Sequence, residues 1–216
     1  VLEAQKEVTN FAGRIRRMFT MVEGLLREKD ISAFNKLLAR IDKYEDISDN
    51  MEIEIAKYLD QVSDAHLSDE TKAKIRAMLR EISEIESIGD SCQHIAHTIR
   101  RKMKDKEEFT EDQYAHIDHM TTLVGESLDY MCALLSGRKD EFDVTRSYNI
   151  ETEINQYRNK LKDQNISDVD AHKYTYGVGT MYMDVVSECE KLGDYVVNVV
   201  EENREYRIIA YFNVRM

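Results

Sequence analysis

The stretch Ile75–Met103, IRAMLREISEIESIGDSCQHIAHTIRRKM, places apolar or small residues at Ile75, Met78, Ile82, Ile85, Gly89, Cys92, Ala96, Ile99 and Met103. Steps of three and four alternate without a break, which is the heptad spacing of helices packed nearly parallel or antiparallel. The same seam runs upstream through Ile41, Tyr44, Ser48, Met51, Ile55, Tyr58 and Val62, and downstream through Tyr182, Val186, Cys189, Gly193, Val196 and Val200. Composition agrees with long helices. The 216 residues include no Pro and 8 Gly, where average usage gives roughly 11 and 15, so turns are few and an all-β design is excluded.

A hydrophobic content of 42% is enough to bury a core, which argues against disorder. With 42 acidic and 30 basic residues the net charge is −12, so a phosphate backbone is repelled and nucleic acid is a poor partner. The apolar runs are short, as at Val196–Val200 with Asn198 inside, and none nears the roughly 20 residues of a membrane helix. Cys92, Cys132 and Cys189 are odd in number and lack metal-type spacing, which fits a reducing cytosol. The start has no basic-then-apolar leader. Val1 already lies in a helical pattern, so a further segment upstream is expected.

Helix starts are marked by Asp30 and Ser32, by Ser68-Asp69-Glu70, by Thr110-Glu111-Asp112-Gln113 as a capping box, and by Ser167-Asp168. Gly137 marks a stop. These signals predict an all-α protein of six helices, near 2–28, 31–64, 68–106, 110–136, 139–165 and 168–210, with short connections that make neighbours antiparallel. Ser83-Glu84-Ile85-Glu86-Ser87-Ile88-Gly89-Asp90 and Ser187-Glu188-Cys189-Glu190-Lys191-Leu192-Gly193-Asp194 agree at five of eight positions, at an offset of 104. The architecture expected is two tandem antiparallel three-helix bundles, residues 1–107 and 108–216, related by an internal repeat.

Within the repeat, Glu86 and Asp90 stand four apart and share one helix face, as do Glu45 with Asp49 and Glu190 with Asp194. Left alone such a pair costs a helix roughly 0.2–0.5 kcal/mol, and more where the face is partly buried, unless the carboxylates protonate or find a cation. Glu45 and Glu86 each follow a d position, and Asp49 and Asp90 each follow an a position. Antiparallel packing then brings the four carboxylates of helices 2 and 3 to one groove. Hard oxygen donors of this kind suit Mg²⁺, Ca²⁺, Mn²⁺ or carboxylate-bridged iron. A single Glu-x-x-x-Asp is usually a solvated face; recurrence at a fixed offset is what favours metal.

The offset of 104 carries Glu45 and Asp49 onto Asn149 and Glu153, a weaker pair, since Asn149 is no acid and Ile150, Ile154, Tyr157 and Leu161 put Glu153 on another flank. His94, with His97 beyond it, could join the first site; surface histidines are the plainer reading. Gly89 and Gly193 each cost about 1 kcal/mol against Ala in a helix interior, a cost offset either by close helix approach or by room for a ligand. His116 and His119 lie three apart, but no Glu-x-x-His occurs, which disfavours the di-iron carboxylate enzymes. There is no phosphate-cradling Gly loop, nucleophile elbow or zinc-protease motif.

Two three-helix halves with repeated acidic motifs, Glu86-Ser87-Ile88-Gly89-Asp90 and Glu190-Lys191-Leu192-Gly193-Asp194 with Glu45 and Asp49 before the first, resemble the PhoU family of phosphate-regulatory proteins over nearly the whole chain. The resemblance implies metal ions on these motifs, often iron clusters, and moderation of phosphate uptake rather than catalysis. It carries the metal role onto Glu45, Asp49, Glu86, Asp90, Glu190 and Asp194, and only loosely onto Asn149 and Glu153. Ile150-Glu151-Thr152-Glu153-Ile154-Asn155 is similar to the branch attached to sodium/phosphate cotransporters. The expected partner is therefore a membrane phosphate transporter portion upstream in the same chain, with phosphate-signalling proteins or a second copy in a homodimer as others. The expected location is the cytoplasm at the inner membrane face. A stand-alone regulator of a phosphate ABC transporter and sensor kinase, a purely structural helical module without metal, and a metal-dependent enzyme using His94 or His97 are the alternatives.

Overall fold

The computed structural model describes residues 1–139 and 143–214. Six α-helices follow one another: α1 (Leu2–Leu26), α2 (Ile31–Ser63), α3 (Asp69–Lys104), α4 (Glu111–Leu135), α5 (Thr145–Asp170) and α6 (Tyr176–Val214). The predicted caps hold three of the starts. Asp30 accepts from the Ala33 N–H at 2.7 Å, Ser68 from Thr71, and Thr110 with Gln113 closes a full capping box. Gly137, at φ 72°, ends α4 with the Arg138 N–H on the Ala133 carbonyl, the left-handed turn that glycine adopts without strain.

The fifth and sixth helices depart from the expected 139–165 and 168–210. Residues 140–142, at the expected start of the fifth, lie outside the described residues; α5 is helical from Thr145 and runs on through Ser167 to Asp170. Ser167 and Asp168 are thus not a helix start. Asp168 instead pairs with Lys173 at 2.7 Å and accepts from Gln164. The stop comes at His172, which takes φ 57° while the Lys173 N–H reaches the Asp168 carbonyl. Because histidine fills the position where glycine is usual, the sequence carries no visible stop there. Thr175 then caps α6 by accepting from the Val178 N–H.

α1, α2 and α3 pack on one another, and α4, α5 and α6 do the same. The two triangles meet through α3 with α6, the most extensive interface, and through α1 with α4. Both pairs are antiparallel: Arg80 bonds Glu202 and Arg101 bonds Asp184 across the first, while Arg16 bonds Asp129 and Arg27 bonds Asp118 across the second. Repeat-related helices that run antiparallel place the halves about a pseudo-twofold axis across the bundle, so their outer faces point away from each other. The α3 seam is buried from Ile75 to Ile99, and that of α6 from Tyr182 to Val200. Phe11, Ile15 and Phe19 of α1 complete a core continuous through both halves. At roughly 1.5–3 kcal/mol per large apolar side chain buried, this core and not helix propensity holds the bundle. Among the described residues no helix is long and apolar enough to cross a membrane.

Candidate metal centre

Antiparallel packing of α2 on α3 sets two stripes of polar residues against each other. Asp42, Glu45, Asp49 and Glu52 line α2, three or four residues apart; Glu86, Asp90, Gln93 and His97 line α3. These positions flank the seams, so their side chains are half-buried at the lip of the groove rather than in the core, Asp42 and His97 among them. Carboxylate oxygens of Glu45, Asp49 and Asp90 lie within 4.8 Å of one another, the only such group of His, Cys, Asp and Glu side chains among the described residues. Glu86 and Glu52 continue the cluster toward one end. At the other end Gln93 donates to Asp42 Oδ1 at 3.0 Å, and His97 Nε2 lies 2.9 Å from the same oxygen.

Electrostatics mark the groove as short of positive charge. Among the described residues none of Glu45, Asp49, Glu52, Glu86 and Asp90 is in an ion pair. Burial raises the Glu86 carboxyl to about 8, with Asp90 and then Glu52 and Asp49 adding to it. Burial likewise pushes up Glu45, Asp49 and Glu52, each helped by its acidic neighbours. Groups held this way gain most from a proton or a cation.

Of the residues singled out from the sequence, Glu45, Asp49, Glu86 and Asp90 share this groove. His94 does not: it is exposed and turns toward α6, with Nδ1 3.7 Å from Glu188, and His97 is the histidine on the groove face. Asn149 and Glu153 are exposed. The α5 residues that face Glu190 and Asp194 are instead Glu151, Asn155 and Arg158. Arg158 Nη2 donates to Glu190 Oε1 at 3.2 Å, Asn155 donates to Glu151, and Glu151 and Glu190 both push the Asp194 carboxyl up after burial itself.

Sequence reasoning missed Glu52, Asp42, Glu151, Asn155 and Arg158. The signal was present in the seams: Tyr44, Ser48, Met51 and Ile55 of α2 match Ile150, Ile154, Tyr157 and Leu161 of α5 at an offset of 106, not 104. Two residues turn a helix by about 200°, so the shorter offset selects the opposite face. The glycines serve packing rather than a ligand. A Cβ on Gly89 would stand 3.0 Å from Ile15 Cδ1, and one on Gly193 3.2 Å from Ile154 Cδ1, both toward the core. Cys92 and Cys189 are fully buried, and burial pushes both thiols up, as befits packing and not catalysis.

No protein-family model and no curated protein matches the sequence. Solved structures do. The crystal structure of the phosphate transport system regulatory protein PhoU from Streptococcus pneumoniae superposes with a TM-score of 0.79 over 95% of this chain and 93% of that one, at 16% identity. PhoU from Pseudomonas aeruginosa superposes at 0.82 over 94% and 95%, at 12% identity. Six helices in two antiparallel triangles, superposed over nearly the full length of both chains, make this an all-α protein of PhoU-like fold.

Proposed function

We propose that the chain is a regulatory, non-enzymatic module of phosphate transport that binds divalent cations in the α2–α3 groove. The carrying observation is the convergence of Glu45, Asp49 and Asp90 oxygens within 4.8 Å, in a fold shared with a phosphate transport system regulatory protein. These three residues would hold the ion, with Glu52 and Glu86 beside them. An all-oxygen donor set suits Mn²⁺, Mg²⁺, Ca²⁺ or iron. The bound charge would offset part of the negative charge of the five carboxylates and tie α2 to α3, so that cation occupancy sets the stiffness of the face presented to a partner. The partner proposed is the membrane portion of a sodium/phosphate cotransporter, at the inner face of the membrane, with residues 1–107 and 108–216 acting as the two repeat units.

The test is Mn²⁺ and Fe²⁺ titration of the wild type and of Asp49→Asn/Asp90→Asn by calorimetry, paired with phosphate uptake in cells carrying each allele. Cation affinity should fall at least as far as the roughly 10–100-fold that loss of a supporting group costs, and uptake should lose its normal restraint. Unchanged affinity in the double variant would overturn the cation site; unchanged uptake with lost affinity would overturn the regulatory role. Reading the gene upstream of Val1 for apolar spans of about 20 residues tests the cotransporter assignment separately.

A further inference from the structure

The second half repeats three contact pairs of the groove, with different chemistry. Asp42 against His97 becomes Tyr148 against Glu201, whose Oε1 accepts from the Tyr148 hydroxyl at 2.8 Å. Glu45 beside Asp90 becomes Glu151 beside Asp194. Glu52 beside Glu86 becomes Arg158 on Glu190. Asp49 becomes Asn155. All three contact pairs share the offsets of 106 on the α2–α5 side and 104 on the α3–α6 side. Inward of the Asp42–His97 pair the first groove therefore holds five carboxylates, and inward of the Tyr148–Glu201 pair the second holds Glu151, Glu190 and Asp194 with one amide and one guanidinium.

We infer that Arg158 is a tethered counter-ion occupying the role that a bound cation has in the first groove, so that the second groove takes no metal. A guanidinium bonded to Glu190 uses the carboxylate that a dication would need, and its own charge repels one. Asn155 contributes no charge, and its amide N–H donates to Glu151, which occupies another carboxylate. Both replacements remove negative charge from the same spot, and they sit on the α5 face that matching seams bring opposite α6. The pseudo-twofold fold thus carries one cation-responsive outer face and one whose negative charge is permanently reduced by covalent sequence. Metal status then acts on the α2–α3 side alone.

The inference rests on the cation reading of the first groove, and Mn²⁺ calorimetry with thermal unfolding on four proteins separates the two. Asp49→Asn/Asp90→Asn should lose Mn²⁺ binding. Adding Arg158→Glu and Asn155→Asp to that variant, which rebuilds the carboxylate set of the first groove in the second, should restore Mn²⁺ binding and an Mn²⁺-dependent rise in Tm. Glu190→Gln/Asp194→Asn in the wild-type background should leave Mn²⁺ stoichiometry unchanged. No restoration in a folded four-site variant, or a fall in stoichiometry in the Glu190→Gln/Asp194→Asn protein, overturns the role of Arg158. If the four-site variant does not fold, the stoichiometry arm decides alone. Binding that survives Asp49→Asn/Asp90→Asn but is lost with Glu190→Gln/Asp194→Asn overturns both assignments. Binding that survives both double variants overturns the first-groove reading and with it the parallel drawn for Arg158, and leaves standing only that the second groove takes no metal.

Discussion

Glu81 offers a test of how strongly the α3–α6 interface excludes water. It is 3% exposed, and its Oε1 accepts from Asn203 Nδ2 at 3.1 Å, while Asn203 Oδ1 accepts from Arg207 Nε at 3.1 Å. Burial raises the carboxyl to about 7, against the lowering effect of the Asn203 hydrogen bond and of the Arg207 charge. A rise from 4.5 to about 7, at about 1.4 kcal/mol per pH unit, amounts to about 3 kcal/mol. The sign follows from the direction. The folded state binds the proton more tightly than the unfolded chain, so the contribution is complete below pH 4.5 and is lost as pH rises through about 7. Glu81→Gln keeps an acceptor oxygen for Asn203 and cannot ionise. In urea unfolding at pH 4.5 and pH 8 the variant should gain on the wild type by about 3 kcal/mol across that window, and it should be the more stable protein at pH 8. Parallel pH profiles for the two proteins would refute the reasoning, because an ionised Glu81 would then cost the interface nothing.

Three further outcomes follow from the groove and from Gly89. Because Glu86 is held at about 8 by burial and by Asp90, cation binding at pH 7 should release protons, and apparent affinity should climb as pH rises through 8; calorimetry in two buffers of different ionisation enthalpy reads the proton count. In the cation-free protein the same raised carboxyls make the groove more stable on acidification and less so toward pH 8, a slope that saturating Mn²⁺ should flatten. Gly89→Ala should destabilise, since its Cβ meets Ile15 Cδ1 at 3.0 Å in a fully buried site. Overpacking costs about 1–3 kcal/mol, which exceeds or matches the roughly 1 kcal/mol of helix propensity gained. Ile15→Val removes the offending methyl, so a double-mutant cycle should show the pair coupled by unfolding free energy, and additive effects would sink the packing explanation.

The legible part of the fold was the part governed by local rules. Side-chain caps at Asp30, Ser68 and Thr110 act within three residues, and seams follow from helical periodicity, so the first four helices were placed to within two residues at each end. The stop at His172 was illegible because a left-handed residue that is not glycine looks like any other. The acid pairs were legible for the same local reason, four residues being one helical turn. His94 and His97 differ by three residues, yet one faces α6 and the other α2, a distinction that depends on which helix packs where.

By itself the sequence determined the helices, the repeat in α3 and α6, and the carboxylate pairs each helix displays, because period and spacing are properties of a single helix. Tertiary packing decided what those pairs face. Glu190 and Asp194 repeat Glu86 and Asp90 nearly letter for letter, but the seam of α5 seats it two residues out of step with the α3–α6 repeat. That shift of about 200° brings Arg158 to Glu190 where the first half brings Glu52 to Glu86. Like motifs thus come to stand in unlike electrostatic surroundings, since the partner of a surface carboxylate is chosen by the register of the neighbouring helix and not by the carboxylate's own sequence.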